Sequence, residues 1–259
     1  MLKDNRRIYK HIIWDWNGTL LDDVDIVIDA MNNLLKRRKL PLLDIEKYKD
    51  IFTFPVKDYY TRLGFDFNEE PFEKLAIEYI SEFNSSNYQF KLHKGVEEVL
   101  KRVRNMNISQ SILSASQEQE LNEIVQKLNI NKFIVKAAGL NDHYAISKVE
   151  RGKELLVDLD LEPIDALLIG DTIHDYEVSR ELGCDCLLVC NGHQCYEKLK
   201  WCNVDIINDI LNVSDYLDGL ALPGGNRKWN RYIKTYKKGG IPMDINKHRK
   251  VCSNKGPLG

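Results

Sequence analysis

Short apolar runs punctuate this chain, and the first is the most telling. Ile8 to Trp14 is largely apolar and ends at Asp15, with a Gly-Thr turn following at once. Similar runs recur at Gln110 to Leu113, Phe133 to Ala137, Ala166 to Ile169, Cys186 to Cys190 and Asp205 to Ile207. Their length and bounding turn residues predict buried strands. Helical spacing lies between them, for example at Val96 to Val103 and Leu121 to Leu128. Strands alternating with helices predict an α/β core, a doubly wound parallel sheet covered on both faces. Right-handed crossovers then bring all the carboxyl ends of the strands to one edge.

Asp22 to Leu92 interrupts this alternation with helical spacing and no good strand. Ile26, Ala30, Leu34 and Leu35 share one helix face; Phe72, Leu75, Ala76, Tyr79, Ile80 and Phe83 share another. We therefore expect residues 1–21 and 93–220 to form the α/β core and 22–92 an inserted all-helical domain. Residues 221–259 differ in kind: ten Lys or Arg stand against one acid, Asp244, so the preceding 220 residues carry −11 of the total −2. This predicts a basic, flexible extension. Trp229, Tyr232 and Tyr236 interleave there with cations, a composition that suits single-stranded nucleic acid or an anionic surface. We assign it no such partner.

At 259 residues, with 43% hydrophobic and 29% charged residues, the chain has the make-up of a globular protein with a sizeable core. No apolar run is long enough to cross a membrane and the first residues are polar, so we expect a cytoplasmic location and no membrane partner. Of the six Cys, Cys184, Cys186, Cys190, Cys195 and Cys202 cluster, but without a Cys-x-x-Cys pair. They are expected to pack as small hydrophobes and not to hold zinc.

Chemistry concentrates at the predicted strand ends. A carboxylate at Asp15 lies where ligands of open α/β sheets bind, which suits a nucleophile. In LLIGDTIHDYEVS a buried strand and Gly170 precede Asp171 and Asp175, placing two more carboxylates at one strand end. Ser114 ends the strand in SILSAS, with Ser116 as a near alternative. Lys148, in AISKVERGKELL, competes with Lys153 as the cation.

These four segments, in this order across Tyr9 to Gly192, resemble the motifs of the haloacid dehalogenase superfamily. The match is to its phosphoglycolate phosphatase-like subfamily, which carries a helical cap between the first two motifs, where 22–92 falls. The resemblance implies Mg²⁺-dependent hydrolysis of a small phosphorylated metabolite through an aspartyl-phosphate, by a monomer or homodimer. It assigns Asp15 as nucleophile and Lys148 as the cation that offsets charge. Ser114, Lys148, Gly18 and Thr19 would hold the phosphoryl group. Asp15, the Asn17 carbonyl, Asp171 and Asp175 would hold the metal, Asp175 directly or one layer out.

Asn17 departs from the family, which has Asp two residues after the nucleophile. Its carbonyl keeps the metal role, but an amide cannot give or take the proton that the family's Asp handles. His174, between the two metal-site acids, is a candidate replacement. Good leaving groups would need no acid, and deamidation at Asn17-Gly18 would restore one. Two other functions stay open. Phosphonoacetaldehyde hydrolase-like C–P cleavage would use Lys57, in TFPVKDYY, as a Schiff-base amine. A non-catalytic phospho-ligand-binding protein would need no acid at all. His193, in CNGHQ, opens on the same sheet edge and is a candidate substrate contact or a loop cap.

Overall fold

The computed structural model describes residues 8–85, 88–140 and 147–221. Its centre is a six-stranded sheet. The strands are β1 (His11–Trp14), β2 (Ser109–Gln117), β3 (Lys136–Leu140), β4 (Ala166–Gly170), β5 (Asp185–Val189) and β6 (Asp205–Ile207). They are parallel and run in the order β3-β2-β1-β4-β5-β6. β1 and β4 are central, and every residue of both is buried. The chain winds outward from β1 first one way and then the other, so the carboxyl ends of β1 and β4 lie side by side where the winding reverses.

Alternation along the strands builds two cores. Ile12, Trp14, Ile112, Leu167 and Ile169 face α5 (Val96–Asn105), α6 (Glu118–Lys127) and α9 (Asn212–Ala221). Ile13, Leu113 and Leu168 face α7 (Lys148–Asp158) and α8 (Ile173–Leu182). A polar exception sits within β1: His11 is buried, its Nδ1 and Nε2 lying 2.6 and 2.7 Å from the hydroxyls of Ser109 and Ser111.

Between β1 and α5 run four further helices: α1 (Val24–Arg37), α2 (Ile45–Ile51), α3 (Val56–Leu63) and α4 (Phe72–Phe83). They enclose a hydrophobic cluster of their own, with Met31, Leu34, Leu35, Tyr48, Tyr59, Tyr60 and Leu75 at its centre. Ile26, Ala30, Leu34 and Leu35 of the expected α1 face are all buried. On the expected α4 face only Leu75 is buried, the rest of it being half-exposed. Arg38 ties α1 to α4 by a fork onto Glu70 and Glu78.

The third strand lies later than expected. Phe133 closes a 3₁₀ turn, Asn131–Phe133, and packs under the Arg104 guanidinium, leaving Lys136–Leu140 to pair. β2 also runs on past its apolar run through Ser114 to Gln117, with a register shift between Leu113 and Gln117. Cys202 is buried, while Cys184, Cys186, Cys190 and Cys195 are half-buried free thiols, consistent with packing. Burial pushes the Cys184 thiol up to about 11 and Cys190 up to about 12, so neither is a reactive thiolate at neutral pH. No helix among the described residues is long and apolar enough to cross a membrane. The basic segment 222–259, including its aromatic residues, lies outside the described residues.

Candidate active site

The last ladder bond of β1 positions Asp15, whose N–H donates to the Ile169 carbonyl at 2.8 Å. Gly170 then ends β4, and Asp171 follows beside Asp15. α8 begins at once, capped by Thr172. The Thr172 hydroxyl accepts from the Asp175 N–H while the Asp175 carboxylate accepts from the Thr172 N–H, a reciprocal box. That box turns Asp175 back toward the sheet edge. Lys148 is the first residue of α7, fixed by a second capping box between Ser147 and Glu150. Its ammonium reaches Asp15 Oδ1 and, at 2.7 Å, Asp175 Oδ1. Lys153, its rival in the sequence, is exposed.

Asp15, Asp171 and Asp175 are all buried, with ligand oxygens within 4.8 Å of one another. Burial pushes Asp15 up to about 8, helped by Asp175 and opposed by Lys148. Asp171 is raised too, chiefly by burial. For Asp175 burial acts upward, but the Lys148 charge and its hydrogen bonds outweigh it and hold the carboxyl low. Burial would likewise depress Lys148, but Asp15 and Asp175 hold its ammonium well above the ordinary range. Three buried carboxylates thus face one ammonium. The excess negative charge and all-oxygen donor set fit a hard divalent cation.

The loop after Asp15 is held by protein groups. Gly18 has φ +76°, and a Cβ there would meet His193 Cδ2 at 2.5 Å and Asp171 Oδ2 at 2.6 Å. Glycine serves both the left-handed backbone and the close approach. The Gly18 N–H donates to Asp23 Oδ1 at 2.8 Å, and the Thr19 hydroxyl donates to Asp171 Oδ1 at 2.9 Å. Both groups are thus engaged with carboxylates of the site itself. Asn17 is gripped from both sides: Nδ2 donates to Asp23 Oδ2 at 2.7 Å, and Oδ1 accepts from the Ser116 hydroxyl at 2.8 Å. Ser114 is buried, its oxygen accepting from the Ser116 N–H at 3.0 Å, which leaves its own proton to donate. The Gly18 nitrogen, which would have to attack the Asn17 amide during deamidation, is itself donating to Asp23.

Lys57 sits apart from the cluster, whereas His174 lies at its edge, close enough to feel Lys148 and Asp175. The exposed Lys57 lays its ammonium 5.2 Å from the Phe67 ring centre, among residues of the helical insertion. His174 stacks on Phe54 at 4.5 Å and pairs with Glu177 at 3.5 Å. Burial, then Lys148, lowers its pKa. The imidazole inside the site is that of His193. Its backbone N–H donates to Asp171 Oδ2 at 2.6 Å, and its Nε2 lies 3.4 Å from Asp23 Oδ1. Burial would lower its pKa, yet Asp23 and then Asp171 and Asp15 raise it to about 9.

Asp23, Tyr48 and His93 went unnoticed in the sequence. Asp23 precedes α1, where an Asp reads as a helix cap, yet its side chain makes no cap bond and turns to Asn17 and Gly18. Tyr48 of α2 is wholly buried and lies 2.8 Å from His193 Nδ1. His93 Nε2 lies 3.0 Å from the Gly18 carbonyl. None of the three stands in a pattern that marks chemistry; tertiary contact alone recruits them.

A six-stranded parallel sheet with these carboxylates at its reversal point defines a haloacid dehalogenase fold, and the family model described as haloacid dehalogenase-like hydrolase matches residues 12–189. The chain belongs to that family. N-acetylmuramic acid 6-phosphate phosphatase of Pseudomonas putida is 25% identical over 178 residues, covering 66% of this chain and 78% of that protein. Phosphoglycolate phosphatase 1 of Pseudomonas aeruginosa is 20% identical over 229 residues, 84% of each. Among solved structures, a haloacid dehalogenase-like family hydrolase from Streptococcus pneumoniae superposes with TM-score 0.71 at 20% identity, covering 80% of this chain and 98% of its own. That likeness concerns the fold.

Proposed function

We propose that this protein is a Mg²⁺-dependent phosphatase that hydrolyses a small phosphomonoester through an aspartyl-phosphate on Asp15. The single observation that carries this is the buried cluster of Asp15, Asp171, Asp175 and Lys148 at adjoining strand ends. Relatives named for a sugar phosphate and for phosphoglycolate support a small phosphomonoester as the substrate.

Asp15, the Asn17 carbonyl and Asp171 would hold Mg²⁺, with Asp175 bound or one layer out; the ion when bound would offset the carboxylates and the phosphoryl oxygens. Lys148 fixes one oxygen of Asp15, which leaves the other to attack phosphorus. The P–O bond to the ester breaks as the Asp15–phosphorus bond forms, and the leaving oxygen departs as an anion that is protonated on release to solvent. The Ser114 hydroxyl and Lys148 hold phosphoryl oxygens. Water then attacks the acyl phosphate, releasing phosphate and regenerating Asp15. We assign 22–92 as a cap that closes over this site and excludes water during transfer of the phosphoryl group to Asp15. With Lys57 against Phe67, nothing favours the Schiff-base reading.

A panel of phosphate esters, with Mg²⁺ and with chelator, tests the proposal alongside Asp15→Asn. Turnover that needs Mg²⁺ and falls by at least about 10³-fold in a folded Asp15→Asn protein is expected for a lost nucleophile. A variant that keeps most of its activity would sink the aspartyl-phosphate. Mg²⁺ binding without turnover of any ester would leave a phospho-ligand-binding protein.

A further inference from the structure

We propose that Tyr48, His193 and Asp23 form a positioning chain that sets the Asn17-Gly18 turn only when the helical insertion is seated, so that the insertion's position governs the phosphatase rate. This rests on the phosphatase reading for its activity arm alone.

The chain is continuous. The Tyr48 hydroxyl, on α2, meets His193 Nδ1 at 2.8 Å. The other ring nitrogen of His193 lies 3.4 Å from Asp23 Oδ1. The two oxygens of Asp23 then hold the Gly18 N–H and the Asn17 amide at 2.8 and 2.7 Å. Tyr48 and Asp23 are 0% exposed and His193 is 5% exposed. A buried phenol needs a partner, and here that partner belongs to the loop after β5, not to Tyr48's own helix. Phe52, ending α2, reinforces the seat. Its carbonyl accepts from Gln194 Nε2 at 3.3 Å and Lys198 Nζ at 3.1 Å, and its ring lies 5.3 Å from His193.

Withdrawal of α2 would strip His193 of its Nδ1 partner and of the Phe52 ring. The ring that braces Asp23 would then be free to turn, and the Asn17-Gly18 turn would lose a fixed anchor. Asn17 has a second grip in Ser116, so the turn loosens without collapsing. Water exclusion alone needs no such chain, because apolar contacts would close the site equally well. Tyr48, His193 and Asp23 act through Asn17 and Gly18 and are positioning residues.

Tyr48→Phe in the full-length protein removes one hydroxyl and keeps the ring packed on Phe52 and Tyr59. With 4-nitrophenyl phosphate and Mg²⁺, kcat should fall about 10-fold, the size of one lost hydrogen bond to a charged group. KM should stay within about 2-fold, while the Mg²⁺ activation constant should rise, because the loosened turn carries the Asn17 carbonyl assigned to the ion. In an Asp23→Asn background the same substitution should cost less than about 2-fold, because the chain is already cut. Amide exchange adds a readout independent of activity. In Tyr48→Phe the Gly18 amide should exchange about 10-fold faster, with α3 and α4 unchanged. Effects that multiply across the two variants, or Gly18 exchange equal to wild type, would overturn the chain. If wild type turns over no ester, the phosphatase reading fails, and Gly18 exchange still decides the chain by itself.

Discussion

Replacing Asn17 with Asp probes the most unusual residue of the site. The amide nitrogen lies 2.7 Å from Asp23 Oδ2, so Asn17→Asp would set two carboxylate oxygens at that separation. Both cannot be charged in a buried site; one proton must be shared, and one of the two pKa values rises. His193, 3.4 Å from Asp23, moderates the repulsion without removing it. The variant therefore gains a buried acid that the wild type lacks. General acid–base help is worth about 10²–10⁴ in rate, or roughly 3–5 kcal/mol of barrier. Alkyl phosphates, whose leaving oxygens need a proton, should gain about 10²-fold or more in kcat/KM, and 4-nitrophenyl phosphate less than about 10-fold. Stability should move the other way. A carboxyl whose folded pKa is raised stabilises least at high pH, so the variant should lose stability relative to wild type as pH rises through the shared titration. Adding Asp23→Asn restores an amide donor opposite the introduced carboxyl and should recover that loss. Steady-state rates over a series of leaving groups, with thermal melts across pH, measure both effects, and intact mass excludes deamidated wild type. Wild-type turnover of alkyl phosphates equal to the variant's would refute the reasoning and place the proton donor elsewhere.

Two further outcomes follow from residues away from that turn. Burial lowers His11 from an ordinary 6.5 to about 4, so the folded protein holds it neutral while the unfolded chain protonates it. That contribution is fully present above pH 6.5 and is lost as pH falls toward 4; urea unfolding at pH 5.0 against 7.5 should show wild type losing about 2 kcal/mol more than His11→Asn. An equal loss in both proteins would show that His11 is not held neutral. Lys57→Ala should leave kcat within about 2-fold, since its ammonium lies on Phe67 and no covalent amine step is needed. Borohydride trapping of phosphonoacetaldehyde on Lys57 would instead establish C–P cleavage.

The four strand-end segments were legible because each couples a local signal to a chemical one. A buried strand followed by Asp15, or by Gly170-Asp171, needs no tertiary contact to be recognised. Lys148 was separable from Lys153 because it stands at the helix start, whereas Lys153 falls five residues on, on the exposed face of α7. β3 was misplaced because Phe133 is as apolar as a strand residue, and its packing beneath Arg104 is a contact between distant segments. His174 drew notice by lying between two acids in the sequence, but α8 turns it toward Phe54 and Glu177.

What the sequence determined by itself was the α/β alternation, the helical interruption and the residue types at the strand ends, since periodicity and strand termini are local properties. What only the tertiary structure decided was how the turn after Asp15 is held. Asp23, six residues after Asn17, accepts from its amide; Ser116, 99 residues away, donates to it; and Tyr48 meets His193 across 145 residues. Those contacts depend on where the sheet order and the helical insertion place distant side chains, and no spacing within one segment encodes them.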